Sequence, residues 1–138
     1  MILVNEFENN GENIELLLPC NAAYVSAARL TASSIANRLK FALDEIEDIK
    51  AAVSEACTYI IRESSAVNKG EFKITFLLKK DALQITITCS IGLSNKDNED
   101  EMGIHMIKAL MDHFEIKTLN DGSAALIMRK EHRSNLFI

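Results

Sequence analysis

The chain has 138 residues, a formal net charge of −5, and a composition that is 48% hydrophobic and 25% charged. A domain of this length buries roughly two-thirds of its unfolded surface and folds without disulfides or metals. The acidic balance, with no basic stripe carrying interleaved aromatics, argues against direct nucleic-acid binding, and no stretch approaches the ~20 apolar residues of a membrane-spanning helix.

The three cysteines, Cys20, Cys57 and Cys89, lie far apart in apolar surroundings and read as buried free thiols. No paired-cysteine or Cys/His spacing suggests zinc. The N-terminus has no basic region and too short an apolar run for a signal peptide. The expectation is a single cytoplasmic domain spanning residues 1–138.

A strand is expected over Asn13–Leu18, ended by Pro19. Asn21 is placed to cap a helix, in which Val25, Ala28, Ala32, Ile35 and Leu39 recur at three- and four-residue spacing. A second helix follows. Asp44 reads as its cap, with Glu47 three residues on, and Ile46, Ile49, Val53, Ala56, Cys57 and Ile60 make its apolar face. Asp48, Glu55, Tyr59 and Arg62 are expected on the opposite side. Asn68-Lys69-Gly70 is a turn. Phe72–Lys79 and Leu83–Cys89 are strands joined tightly through Lys79-Lys80-Asp81. Ser90–Glu101 is a polar loop. Met102–His113 reads as a third helix, with Met106, Ile107, Leu110 and Phe114 inward and its methionines in the core. The strands Glu115–Leu119 and Ala124–Lys130 meet at Asn120-Asp121-Gly122, a hairpin signal. The last residues read as frayed. The order predicts an α/β two-layer sandwich in which about three helices cover one face of a mixed sheet.

Three segments carry a resemblance. The run Ile46-Glu47-Asp48-Ile49-Lys50-Ala51-Ala52-Val53-Ser54-Glu55-Ala56-Cys57-Thr58 resembles the first nucleotide box of bacterial anti-sigma factors that double as serine kinases. These belong to the superfamily of histidine kinases, gyrase and the Hsp90 chaperone. Tyr24–Thr31 resembles the first helix of that family, and Gly103–Asp112 its second glycine box with the helix that follows. The resemblance covers roughly residues 13–130 and implies the histidine-kinase-like ATPase fold.

The departures from the family pattern fall on its nucleotide site. Glu55 matches the catalytic base, though it also reads as a solvated carboxylate on a helix face. After Thr58, the family's magnesium-holding asparagine is replaced by Tyr59. A phenol is a poor ligand for a small hard cation that wants oxygens at octahedral geometry, and the ring is expected to plug the pocket. The Asp-x-Gly-x-Gly turn that binds adenine reads Ser90-Ile91-Gly92-Leu93-Ser94, which keeps only Gly92 and one hydroxyl at Ser90. The long lid is cut to Asn95–Asp100, and Glu101-Met102-Gly103 replaces Gly-x-Gly. Asp97, Glu99, Asp100 and Glu101 crowd a helix start that elsewhere receives phosphate. Gly122-Ser123 matches a late Gly-Thr. Arg29 stands where the family's first helix faces its sigma factor and antagonist, and Arg38, nine residues on, is expected near the same face. His105, His113 and His132 show no metal spacing.

The resemblance therefore implies a homodimeric regulatory protein that binds a sigma factor or an anti-anti-sigma partner. Its remnant pocket comprises Thr58, Tyr59, Ser90, Gly92, Gly103 and Ser123. ATP and ADP remain candidate ligands, without magnesium. The alternatives are an active serine kinase using Glu55, a non-hydrolysing adenine-nucleotide sensor, and a relative repurposed in a two-component or phosphatase pathway.

Overall fold

Alternation along the central strands decides the layering. Phe72, Ile74, Phe76 and Leu78 on one strand, and Leu83, Ile85, Ile87 and Cys89 on the next, place every second side chain on one face, and all eight are buried. In the computed structural model, which describes residues 11–63, 70–89 and 102–132, these form strands β2 (Glu71–Leu78) and β3 (Ala82–Cys89). With β1 (Glu12–Pro19), β4 (His113–Thr118) and β5 (Ala124–Glu131) they make a five-stranded sheet of order β1-β2-β3-β5-β4.

Every ladder in this sheet is antiparallel, which corrects the expectation of a mixed sheet. The reason lies in the connection after β3. The chain crosses through a helix to the far edge, where β4 runs in the same direction as β3 but does not touch it. The hairpin return, β5, then inserts between them and pairs antiparallel with both.

Three helices, α1 (Val25–Arg38), α2 (Leu43–Glu63) and α3 (Met102–Leu110), cover the apolar face. Before α1, Asn21 accepts the Ala23 amide at 2.8 Å and caps a 3-10 turn over Ala22–Tyr24. At the other end the Phe41 amide returns to the Ala36 carbonyl at 3.1 Å, and that of Lys40 to Asn37 at 3.0 Å. This is a Schellman end, and it places Lys40 at φ 67°.

The cap of α2 lies two residues earlier than expected. Ala42 carbonyl takes the first helical bond, from Ile46, at 2.9 Å. The Glu45 carboxylate accepts the Ala42 amide at 2.8 Å, which is the reciprocal arm of a capping box. The expected pair Asp44 and Glu47 does not make this contact.

α3 is shorter than expected, because the backbone is already strand at His113. Its inward phase is set by Ile104, Ile107 and Met111, all buried. Met102 and Met106 are therefore 73% and 39% exposed and not core, and Phe114 packs from β4 instead of from the helix.

Two residues, Lys130 and His132, tie the layers through polar contacts. The buried Lys130 ammonium on β5 donates to the Leu110 carbonyl at 2.6 Å, at the end of α3, and lies 3.5 Å from the Asp48 carboxylate on α2. His132 amide donates to Asp81 carbonyl at 2.8 Å. Its Nε2 donates to Leu39 carbonyl at 2.6 Å, and its ring stacks on Phe41 with centroids 4.6 Å apart. Among the described residues no helix is long and apolar enough to cross a membrane.

Two stability outcomes follow from this geometry. Lys40→Gly relieves a left-handed backbone carrying a Cβ, so the urea midpoint should rise by the equivalent of about 1 kcal/mol; an unchanged or lower midpoint contradicts this. Lys130→Met leaves the Leu110 carbonyl without its buried donor and should cost roughly 1–3 kcal/mol. Asp48→Asn should cost less, because that carboxylate is longer-ranged and partly hydrated; equal losses would place the weight on the ion pair.

Candidate functional site

α2 is buried along most of its circumference because it packs against the sheet and against both α1 and α3. At about 100° per residue, Asp48, Glu55 and Tyr59 fall on one narrow stripe. Lys130 shows where the stripe points, since the same ammonium meets Asp48 and the last carbonyl of α3. The stripe therefore runs along the border between α2 and α3.

This placement corrects the expectation for Tyr59. It was assigned to the polar side of α2 and is instead 2% exposed, part of the hydrophobic core. The side that looks polar on an isolated helix is here covered. Three residues further on, the Arg62 guanidinium carbon stands 5.8 Å from the centre of the Tyr59 ring, within cation–π range. Its Nε pairs with Glu63 at 3.2 Å, while the Arg62 side chain stays 47% exposed. Glu55 is half-buried on the same stripe. Thr58 points about 100° away from Tyr59 and is exposed. Gly103 is buried in the first turn of α3.

The arrangement does not fit the magnesium ion that the resemblance implies. A ring packed in the core stands where a carboxamide oxygen would be needed, and a phenol is a poor substitute ligand. Among the described residues there is no group of three or more His, Cys, Asp or Glu side chains able to hold a metal.

Ser123 is not joined to this stripe. Its hydroxyl donates to the Asp121 carboxylate at 2.5 Å, and its amide donates to the same oxygen at 2.9 Å. Gly122, at φ 89°, closes the turn. These bonds, the hydroxyl one foremost, hold the Asp121 carboxyl below its ordinary range. Ser123 and Asp121 line a groove of about 520 Å³ together with Leu17, Lys73, Thr75 and Thr88. Those four alternate with the core-facing positions of their strands, so the groove opens on the sheet face opposite the helices.

Ser90 and Gly92 lie outside the described residues. Arg29 is exposed on α1, with exposed Tyr24 and Leu30 nearby in sequence. Arg38 is also exposed but does not share its face: nine residues is about two and a half turns, which puts the two arginines on opposite flanks. Cys20, Cys57 and Cys89 are buried thiols outside any disulfide, and burial pushes the Cys57 thiol up to about 12, far from a working nucleophile. His105 is exposed on α3, His113 lies 3.7 Å from Glu115, and His132 forms the clasp described above.

Sequence reasoning placed Arg62 on this side but missed its stacking on Tyr59, and it missed the buried contacts of Lys130. Lys130 had a signal, because it continues the core-facing series Ala124, Leu126, Met128. Arg62 stacking had one too, in its three-residue spacing from an aromatic.

The family model described as histidine kinase-like ATPase domain matches residues 18–130. A serine-protein kinase RsbW from Bacillus cereus strain Q1 is 34% identical over 137 residues, covering 86% of this chain and 84% of the relative. The protein of the same name from Bacillus cereus strain B4264 is 35% identical over 138 residues, with the same coverage. Among solved structures, the RsbU and RsbW domains of a Mycobacterium tuberculosis protein superpose with a TM-score of 0.68 at 16% identity, covering 86% of this chain and 32% of that one, which shows the shared fold. The match across strands β2 to β5 and all three helices, together with relatives above 30% identity, establishes that the chain belongs to the histidine kinase-like ATPase family, beside the serine-protein kinases of the RsbW type.

Proposed function

We propose that the protein is a cytoplasmic, homodimeric, single-domain regulator of the anti-sigma-factor type. It acts by binding a sigma factor or an anti-anti-sigma protein, and its phosphotransfer site has decayed. The observation that carries the second half is Tyr59, buried where the family holds its metal. Phosphoryl transfer depends on metal ions to neutralise charge as the phosphoryl group moves, and Tyr59 offers a phenol where the family offers a carboxamide oxygen.

The first half rests on α1. Arg29 presents a planar fork of donors from an exposed helix, and Leu30 beside it is 69% exposed. An arginine and an exposed aromatic side chain such as Tyr24 are suited to anchor a protein interface. The net charge of −5 favours encounter with a basic partner surface.

A second reading, an active serine kinase, is favoured by two observations. Glu55 is retained on the stripe beside α3, and the curated relatives quoted above are named as serine-protein kinases. Under that reading Glu55 takes the proton from the acceptor serine.

The two readings separate in one experiment. The purified protein is mixed with candidate sigma factors and anti-anti-sigma proteins from the same cell, with ATP and magnesium. Stable complexes without phosphate transfer are expected, and Arg29→Glu should weaken them tenfold or more with no change in melting temperature. Phosphate transfer that disappears in Glu55→Ala would establish the kinase instead.

A further inference from the structure

We propose that two copies of this chain meet along the outer edge of β1, strand against strand, so that their sheets join into one. This rests on the reading that the protein is a homodimer, and it names the surface that makes it one.

β1 lies at one end of the strand order and, among the described residues, pairs only with β2. Leu17 is 58% exposed, and Ile14, on the core-facing side, is still 36% exposed. The Cys20 amide donates to the Gly70 carbonyl at 2.8 Å, one step beyond the Pro19–Glu71 pair. Bonded and non-bonded positions alternate along an antiparallel ladder. Ile14, Leu16 and Leu18 therefore turn their backbone groups to β2, and Asn13, Glu15, Leu17 and Pro19 turn theirs outward. Proline, with no N–H, costs the ladder nothing at an outward position. An unpaired edge of this kind is a template for another strand.

The side chains select the occupant and its register. An antiparallel copy centred on Leu16 sets Leu16 against Leu16 and Ile14 against Leu18 on the core face, which carries the apolar layer across the joint. On the open face it sets Glu15 against Leu17, with no like charges directly opposite. Centring on Glu15 would set that carboxylate against itself, and centring on Leu17 would leave Ile14 beyond the end of the second strand. The two-fold axis through Leu16 makes the contact self-complementary, as a closed dimer requires.

The test uses the full chain, with its mass in solution read by sedimentation. A dimer is expected. In the proposed register Leu16 is a non-bonded pair with itself, about 4.5 Å apart at Cα and within disulfide reach. Leu16→Cys should therefore link two chains on mild oxidation, whereas the wild type, whose thiols are buried, and Thr86→Cys, at the centre of the open sheet face, should not. Leu17→Glu places a carboxylate opposite Glu15 of the second copy and should raise the dimer Kd tenfold or more. Its neighbour in its own sheet is Lys73, so the variant should stay folded, which a thermal melt checks. Adding Glu15→Lys to the same chain should restore the dimer. A monomer at all concentrations would overturn this inference and the homodimeric reading together. A dimer that lacks the Leu16→Cys link, is unaffected by Leu17→Glu, or is not regained in the double variant would overturn this inference alone; linkage through Thr86→Cys would move the contact to the open face. Partner binding through Arg29 stands in each case.

Discussion

α2 is covered on three sides, by the sheet, by α1 and by α3, and this packing limits everything else on the helix. Ile49, Ala52, Val53, Ala56, Cys57 and Ile60 have no exposed surface at all. A helix so enclosed keeps only a narrow polar strip, and any side chain that is to meet a ligand or a partner must leave from that strip or from its border. Glu55 and Tyr59 sit on the border, where the position of α3 decides whether a residue is wet or dry. Lys130 helps to set that position, because its buried ammonium joins the end of α3 to α2 from the sheet below. Interior packing is dense and tolerates little shift, so a contact at one end of α3 constrains what the other end can leave open.

The parts of the fold that depend on local periodicity were legible in the sequence. The core faces of β2 and β3 follow from strict alternation, and the buried residues of α1 follow from helical spacing. The parts that depend on which element comes to lie beside which were not. Tyr59 is close around the helix from Ala52, which is buried, and from Glu55, which is half-buried. Only the tertiary packing around α2 resolves that ambiguity. The same limit explains the sheet. The strands themselves were recognisable, but the insertion of β5 between β3 and β4 is a property of the crossover and not of any one segment.

The candidate site divides along the same line. Glu55 and Tyr59 on α2 and Gly103 on α3 belong to elements that pack together. Ser123, which matched the family only as a two-residue motif, belongs to a turn whose hydroxyl is already committed to Asp121. A motif that also serves as an ordinary turn carries less information when its side chain bonds within the turn, as the Ser123 hydroxyl does in giving its one proton to Asp121.

The chemistry of the residue at position 59 bears on how the site is to be understood. Loss of a metal ligand alone would be met by any small or apolar side chain that fills the gap. A tyrosine does more, because its ring also presents a face to a cation, and Arg62 stands over that face. At the position matching the family's asparagine the chain therefore packs a ring into the core and holds a guanidinium beside it. A diffusible cation binds only at the cost of its hydration and can be chelated away, whereas a side chain stacked on a ring is part of the fold. The guanidinium charge at this flank of α2 is thereby tied to the packing of the helix.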